Sequence, residues 1–251
     1  MSKQLSRKIK SGEAVFTAWS GIPSQYVAEA CARTDFDTVV LDMQHGAQTT
    51  QSVTDGIGAI RLADKPAIVR IPVGRFDMAS RALDLGASAV IAPMINSVED
   101  ARAFAQSMIF PPLGGRSWGP HRAITLGGYE SNQSYLESAN TDSLAIAMIE
   151  TREALDALDD ILAVDGIDGV FVGPSDFSIA WSGGATINPV LGDMMDAIAD
   201  IAKRAKAAGK FSAIFIFDPG MVAQFAGYGY QFFAMATDGI YIASGAGNLV
   251  A

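Results

Sequence analysis

The sequence predicts an α/β protein folded as a (β/α)8 TIM barrel, and three observations lead to that prediction. Eight short apolar runs recur along the 251 residues. Most runs are followed by a stretch with helical spacing, which is typical of parallel strands buried on both faces by covering helices. The length is close to the roughly 250 residues of one such barrel. Because no linker-like change in composition divides the chain, we expect a single domain over residues 1–251.

The eight runs are expected to form the barrel strands in chain order. They are AVFTAW (14–19), TVVLDM (38–43), AIVRIP (67–72), SAVIAPM (88–94), SLAIAMIE (143–150), GVFVG (169–173), SAIFIF (212–217) and FFAMA (232–236). The stretches with helical spacing include SQYVAEACARTD, DMASRALDLGA, VEDARAFAQSM and REALDALDDILAV. Eight such repeats favour a closed barrel over an open, doubly wound sheet.

One connection, from residue 109 to residue 142, is too long for a plain loop between a helix and a strand. Long connections in compact domains are usually functional or mobile. This one carries glycines, aromatic residues, arginines and His121. We expect it to cover the site or to contact a neighbouring subunit, with His121 as a substrate contact at most.

The composition excludes several classes of partner. A formal net charge of −9 would repel a nucleic-acid backbone. No apolar run approaches the roughly 18 residues of a membrane span, and the opening segment MSKQLSRKIKSG lacks the apolar region of a secretion signal. Cys31 is the single cysteine, so an internal disulfide is impossible. We therefore expect a cytoplasmic protein with no nucleic-acid or membrane partner.

Two carboxylates are expected at the barrel mouth, because the active site of a TIM barrel lies at the carboxyl ends of its strands. Glu150 ends the fifth run and Asp176 follows the sixth. Mg²⁺ and Mn²⁺ commonly bind one or two carboxylates together with water and substrate oxygens. Alternatively, both carboxylates lie at helix N-termini and stabilise those helices. Spacing alone leaves both interpretations open.

Three further polar residues are predicted near the same mouth. His45 lies just past the second run, with Asp42 at the last position of that strand. A histidine suits proton transfer near neutral pH, and a carboxylate partner orients its ring. Arg70 lies in the apolar run AIVRIP, where a permanent charge needs an anion or a developing oxyanion. The alternatives are a solvated loop histidine and a structural ion pair.

The positions of the lysines and the absence of several motifs limit the kinds of catalysis that the sequence supports. A Schiff-base aldolase needs a lysine that faces the barrel interior, yet none of the seven lysines ends a predicted strand. Carbon–carbon chemistry would therefore need a metal as its electron sink. The dinucleotide, P-loop and serine-hydrolase motifs are also missing. The GPSD turn (173–176) is instead a candidate anion site, because free N–H groups begin a helix there.

Seven segments together form a pattern far more specific than any one motif. They are LDMQHG (41–46), VRIP (69–72), LDLGA (83–87), APMINSVEDA (92–101), GRSWGP (115–120), AMIETREAL (147–155) and GIDGVFVGPSD (166–176). In this order and spacing the sequence resembles the class II pyruvate aldolases of the HpcH/HpaI type. The resemblance runs nearly from end to end and implies a TIM barrel with metal-dependent aldolase activity.

The resemblance also implies roles for residues around the predicted base. His45 looks like the family's proton acceptor, and Arg70 looks like the arginine that stabilises the enolate oxygen. Asp84, which spacing would not have selected, looks like the carboxylate that raises the basicity of the histidine. Asp42 is then a nearby supporting carboxylate.

A second group of residues resembles the family's metal and substrate site. Glu150 and Asp176 look like the two ligands of a divalent cation, with Mg²⁺, Mn²⁺ or Co²⁺ expected. Ser175, with the turn at Gly173 and Pro174, looks like the element whose backbone receives the keto-acid carboxylate. Asp176 and Arg70 are expected to contact the substrate as well.

The implied reaction is the reversible cleavage of a 4-hydroxy-2-oxo acid to pyruvate or hydroxypyruvate plus an aldehyde, in a homo-oligomer such as a hexamer built as a trimer of dimers. Met148 stands where several family members have a substrate-binding glutamine, so that contact is expected to be missing or replaced. The alternatives are a CoA-ester lyase of the citrate-lyase-β or malyl-CoA-lyase type and a non-catalytic barrel that binds a keto acid.

Overall fold

A closed barrel of eight parallel strands, in the order β1 to β8, forms the centre of the computed structural model, which describes residues 2–250. The strands are β1 (Val15–Ser20), β2 (Thr38–Asp42), β3 (Ala67–Arg70), β4 (Ala89–Ala92), β5 (Leu144–Ile149), β6 (Gly169–Val172), β7 (Phe211–Ile216) and β8 (Phe232–Met235). β8 pairs with β1 and closes the sheet. The predicted (β/α)8 fold is confirmed, and each predicted run contains or overlaps its strand.

Helices pack around this barrel. They are α1 (Ser2–Lys10), α2 (Gln25–Ala32), α3 (Thr50–Leu62), α4 (Asp77–Leu85), α5 (Val98–Met108), α6 (His121–Gly127), α7 (Asn132–Asp142), α8 (Arg152–Asp156), α9 (Leu158–Leu162), α10 (Pro174–Trp181), α11 (Gly192–Ala207), α12 (Val222–Tyr228) and α13 (Asp238–Val250), with a 3₁₀ turn at Pro219–Met221. Within residues 2–250, no helix has both the length and the apolar character needed to cross a bilayer.

Strand alternation separates the apolar residues into two clusters. Successive strand side chains point to opposite faces of a sheet, so Val39 and Leu41 of β2 pack outward against the helices while Val40 packs in the barrel interior. Leu5 and Ile9 of α1 join the interior cluster, so this helix packs against the barrel's inner residues. The charged residues of this inward series, Asp42 and Arg70, lie at the carboxyl ends of β2 and β3.

The long connection at residues 109–142 contains α6 and α7 rather than an open loop. Ser131 caps α7, because its hydroxyl accepts from the Ser134 amide while the Ser134 hydroxyl accepts from the Ser131 amide. Phe110 and Tyr135 form a small apolar cluster of their own in this region. None of its described residues lines the cavity at the barrel mouth, so within one chain this connection does not cover the site.

Candidate active site

A cavity of about 350 Å³ opens at the carboxyl ends of the strands. It is lined by Trp19, Gly21, Asp42, His45, Gly46, Arg70, Met148, Glu150, Phe171, Gly173, Pro174, Ser175, Asp176, Phe215, Phe217, Thr237, Asp238 and Gly239. Every candidate site residue from the sequence lies in this lining except Asp84 and His121. The predicted strand-end residues are therefore brought together at the carboxyl ends of the strands, where the active site of a TIM barrel lies.

Asp42 and Arg70 meet because they are register partners on neighbouring strands β2 and β3. Nε of Arg70 donates to Oδ1 of Asp42 at 2.8 Å, and Nη2 donates to Oδ2 at 2.6 Å. Both side chains are buried. A bidentate pair of this kind fixes the plane of the guanidinium as well as its position.

The Asp42 carboxylate is strongly stabilised in its charged form. Burial acts to raise its pKa, but the hydrogen bonds and the positive charge of Arg70 outweigh burial and hold the pKa below its usual value. The indole N–H of Trp19 and the backbone N–H of Gln44 also donate to this carboxylate, at 3.1 and 3.0 Å. Asp42 is therefore an anion with a fixed set of donors.

Glu150 directly follows β5 and is 1% exposed. Its Oε2 accepts from the backbone N–H of Met94 at 3.0 Å, and Met94 adopts a left-handed backbone with φ of 53°. Its Oε1 is buried and has no hydrogen-bond partner among the described residues. The pKa of Glu150 is raised to about 7, mainly by burial and also by the negative charge of Asp176, while the Met94 hydrogen bond and the Arg70 charge act to lower it.

These features fit a cation site. An unpartnered carboxylate oxygen in a buried position is costly unless a cation or proton meets it. A Cβ on Gly173 would lie 2.4 Å from Oε1 of Glu150, so only glycine leaves room beside that oxygen. Among residues 2–250 no group of three or more metal-binding side chains forms. Glu150 and Asp176 both line the cavity, and this pair of carboxylates could hold Mg²⁺ or Mn²⁺.

The turn after β6 supplies two free backbone donors beside this pair. α10 begins at Pro174, which has no N–H, and the first helical hydrogen bond runs from Phe177 N to Gly173 O. The N–H groups of Ser175 and Asp176 therefore begin the helix without an intrahelical acceptor. They lie in the cavity lining, where a carboxylate can accept from them.

His45 lies at the exposed rim of the cavity, on the loop that follows β2. Its backbone N–H donates to Oδ1 of Asp42 at 3.3 Å. Gly46 packs so closely against Gly21 that a Cβ there would lie 2.7 Å from the Gly21 Cα. Ala47 N donates to Gly21 O at 2.9 Å and completes this contact. The close approach of the two loops holds His45 at the mouth.

Asp84 lies on α4, away from this cavity. Its Oδ1 accepts from Nη2 of Arg116 at 2.8 Å, and Arg116 also donates to the Tyr135 hydroxyl at 3.1 Å. Within one chain the structure therefore pairs Asp84 with Arg116 and not with His45. Its role beside His45 stays a prediction. His121, the first residue of α6, also lies outside the cavity lining.

Aromatic residues form one wall of the cavity, and strand-end reasoning about polar residues missed them. Trp19 lies 5.6 Å from Phe171 and 5.3 Å from Phe215, measured between ring centroids. Phe217 lies 4.8 Å from Phe215 and is half exposed. These residues occur at or near the ends of β1, β6 and β7. That position is the signal in the sequence that could have identified them.

Asp238 was also missed, although it follows the eighth strand closely. Its Oδ2 accepts from the Ser20 hydroxyl at 3.0 Å and from Ile22 N at 2.9 Å, and its Oδ1 accepts from Gly239 N. With these donors the carboxylate is engaged in holding the loop after β1 against the start of α13. Asp238 therefore shapes the cavity wall.

Comparisons with known proteins agree with this geometry. The sequence model described as HpcH/HpaI aldolase/citrate lyase matches residues 16–244. A hydroxypyruvate/pyruvate aldolase of Rhizorhabdus wittichii is 36% identical over 96% of this chain and 94% of its own length. A 4-hydroxy-2-oxovalerate aldolase of Novosphingobium aromaticivorans is 33% identical over 96% of this chain and 90% of its own.

A solved structure has the same architecture. The crystal structure of an HpcH/HpaI aldolase/citrate lyase family protein from Burkholderia cenocepacia aligns with a TM-score of 0.89 and 26% identity. The alignment covers 99% of this chain and 98% of the other. The similarity thus extends over the whole barrel, including the strand ends that form the cavity.

Proposed function

Because the chain belongs to the HpcH/HpaI aldolase/citrate lyase family, we propose that it is a class II aldolase that cleaves 4-hydroxy-2-oxo acids to pyruvate or hydroxypyruvate plus an aldehyde. The same site would run the reaction in reverse and join the keto acid to an aldehyde. The names of two similar proteins, a hydroxypyruvate/pyruvate aldolase and a 4-hydroxy-2-oxovalerate aldolase, support this substrate class.

One observation carries the proposal. The unpartnered, buried Oε1 of Glu150 lies in the same small cavity as Asp176, the Arg70 guanidinium and His45. Such a cavity combines a cation site, a fixed positive charge and a proton acceptor. Aldol cleavage needs these three elements, because it removes a hydroxyl proton and leaves an enolate that must be stabilised.

Glu150 and Asp176 are the residues that would hold a divalent cation, with Mg²⁺, Mn²⁺ and Co²⁺ as the candidates. When bound, such a cation supplies Lewis-acid stabilisation of negative charge on the keto acid. No lysine lines the cavity among the described residues, so a Schiff base has no nucleophile there. The metal-dependent route is the one that this set of side chains supports.

Residues of the chain itself carry out proton transfer, charge stabilisation and binding of the substrate carboxylate. His45, at the rim, accepts the proton of the 4-hydroxyl group, directly or through water. Arg70 uses Nε and Nη2 for Asp42, so its Nη1 edge is free to hold the oxygen on which charge develops. The Ser175 and Asp176 N–H groups receive the substrate carboxylate, because helix N-termini attract anions.

Assembly into a homo-oligomer forms part of the proposal. After Asp238, α13 carries no charged residue, and its described residues are exposed from Ile242 to its end. Tyr26 on α2 is 74% exposed and lines an apolar cavity beside α13. Exposed apolar patches of this kind mark interaction surfaces. Light scattering of the purified protein tests this, and a monomer at micromolar concentration contradicts it.

The activity is tested by incubating the protein with pyruvate or hydroxypyruvate and a panel of aldehydes. Consumption of the keto acid is measured with added Mg²⁺, Mn²⁺ or Co²⁺, before and after chelation. We expect aldehyde-dependent consumption that chelation abolishes. A parallel assay with acetyl-CoA and glyoxylate tests the CoA-ester alternative. Metal binding without turnover on any substrate indicates a binding barrel instead.

A further inference from the structure

Trp19 is a buried aromatic residue in the cavity wall that the proposed chemistry does not use. It lies in β1, one residue before the strand end, and is 3% exposed. Its side chain belongs to the interior cluster of the barrel. A tryptophan in this position would ordinarily be assigned to packing alone. Its contacts with two charged residues indicate a functional role in addition to packing.

Trp19 contacts both members of the buried ion pair. Its indole N–H donates to Oδ2 of Asp42 at 3.1 Å. The Cζ atom of Arg70 lies 4.8 Å from the centroid of its ring, within the range of a cation–π contact. The Trp19 indole therefore contacts the Asp42 carboxylate through its N–H edge and the Arg70 guanidinium through its ring face.

This arrangement affects how Arg70 faces the cavity. Oδ2 of Asp42 accepts from both Nη2 of Arg70 and the indole N–H of Trp19. Because the indole shares that oxygen, Asp42 neutralises less of the guanidinium charge than it would alone. The ring face also restricts tilting of the guanidinium plane. The Nη1 edge is thus held in one direction, with more of its positive charge available to a substrate oxygen.

Trp19 is itself held on several sides. Phe171 and Phe215 contact its ring, the latter edge-on at an interplanar angle of 84°. Its backbone N–H donates to the Tyr241 hydroxyl of α13 at 3.2 Å. The indole therefore has little freedom to leave Asp42, and a rigid support of this kind is what a precisely oriented group needs.

We propose that Trp19 is a positioning residue that orients the Arg70 guanidinium toward the substrate oxygen, through its indole hydrogen bond to Asp42 and its ring face. The inference rests on the proposed aldolase function, because it assigns Arg70 the task of holding the developing negative charge. Trp19 need not touch the reacting atoms.

Trp19→Phe tests this, because phenylalanine keeps an aromatic face and lacks the indole N–H. Trp181→Phe is the matched control. The Cζ atom of Arg152 lies 4.0 Å from the Trp181 ring centroid. Nε1 of Trp181 has no hydrogen-bond partner among residues 2–250. Trp181 also lies outside the cavity lining. Both variants therefore remove an indole that has an arginine on its face.

We expect Trp19→Phe to lower kcat about 10-fold, as the loss of one hydrogen bond to a charged group predicts. The KM for pyruvate and the Kd for Mn²⁺ should change little, because the loss falls on the transition state. The Kd for oxalate, a planar dianion shaped like the pyruvate enolate, should rise about 10-fold by the same reasoning. Trp181→Phe should leave all four quantities within about twofold.

Unchanged kcat and oxalate affinity in Trp19→Phe overturn the proposal. Parallel losses in Mn²⁺ affinity and melting temperature also overturn it, because they indicate a structural role. If Trp19→Phe does not fold, replacing Trp19 by β-(3-benzothienyl)alanine gives the same comparison, because this residue keeps the bicyclic ring and has sulfur in place of the N–H. If the wild type shows no turnover on any aldehyde, the aldolase function fails, while the oxalate comparison still decides whether Trp19 orients Arg70.

Discussion

The guanidinium of Arg70 and the carboxylate of Asp42 form a bidentate pair, with Nε to Oδ1 at 2.8 Å and Nη2 to Oδ2 at 2.6 Å. The two residues are register partners on β3 and β2, and their side chains are 8% and 5% exposed. Buried pairs hold their geometry best when further donors satisfy the carboxylate, and Asp42 has these. Arg70 therefore presents a fixed edge to the cavity.

Arg70→Lys should lower kcat by about 100-fold or more, the size of effect seen when one oxyanion donor is lost. A lysine is a single point charge and cannot both pair with Asp42 and present a second donor. Steady-state kinetics with pyruvate and an aldehyde measure the loss. Arg75→Lys is the control, because Arg75 makes a similar bidentate pair with Asp77 on the exposed surface. Equal kcat in both variants would contradict the role of Arg70.

His45→Ala should retain its metal affinity and lose turnover by about 10²-fold to 10⁴-fold, the usual contribution of a general base. The metal is expected to stay because the cation pair consists of Glu150 and Asp176. Calorimetric Mn²⁺ titration and kcat are measured on the same preparation. His121→Ala, which removes the other histidine of the chain, should behave as wild type. A fully active His45→Ala enzyme refutes the assignment of the base.

Asp84→Asn should destabilise the fold by about 3 kcal/mol, because removing one partner of a buried pair leaves an uncompensated charge. Arg116 has a fully buried side chain, and its Nε and Nη1 atoms have no partner among the described residues. Urea unfolding measures the change. Asp159→Asn, which removes the exposed partner of Arg204, should leave the free energy of unfolding nearly unchanged. Equal stability of both variants would show that Arg116 does not depend on Asp84.

The stability of the protein should depend on the charge of Asp168, which lies before β6. Burial raises the pKa of this carboxyl from 3.8 to about 6, although it accepts from Ala145 N at 2.8 Å and lies near Lys210 and Lys10. Its folded-state pKa exceeds the unfolded value. Its favourable contribution is therefore complete below about pH 4 and is lost as pH rises through about 6.

Asp168→Asn, which stays uncharged, should therefore unfold with a free energy higher than the wild type by on the order of 1–2 kcal/mol at pH 7. The difference should vanish near pH 4. Urea unfolding across this pH range measures it, with the exposed Asp165→Asn as the control. A difference that does not vary with pH would show that the charge of Asp168 does not control this effect.

The sequence predicted the barrel well because its strands are contiguous apolar runs, a strong and local signal. It did not predict α7, since the segment NQSYLESANTD has no apolar periodicity. That helix depends on the Ser131 cap and on Tyr135, which packs against Phe110 from a distant part of the chain. Contacts of this long range are not visible in a local pattern.

The cavity was predictable where polar residues end apolar strands, as with Glu150, Asp42 and Arg70. The aromatic wall was missed although its residues lie at or near strand ends, because an inward-facing Trp19 looks the same in the sequence as any core residue. The left-handed backbone of Met94, which directs its N–H at Glu150, also leaves no sequence signal. The pairing of Asp84 with Arg116 is set by the packing of α4 against the long connection.

The metal site is tested most directly by Mn²⁺ binding and turnover in Glu150→Gln. Glutamine keeps the shape of the side chain and can still accept from Met94 N, but it carries no charge for a cation. Glu153→Gln, an exposed neighbour on α8, is the matched control. We expect the wild type and the control to bind Mn²⁺ and turn over substrate, and Glu150→Gln to lose both. A Glu150→Gln protein that binds Mn²⁺ and cleaves substrate like the wild type contradicts the metal site.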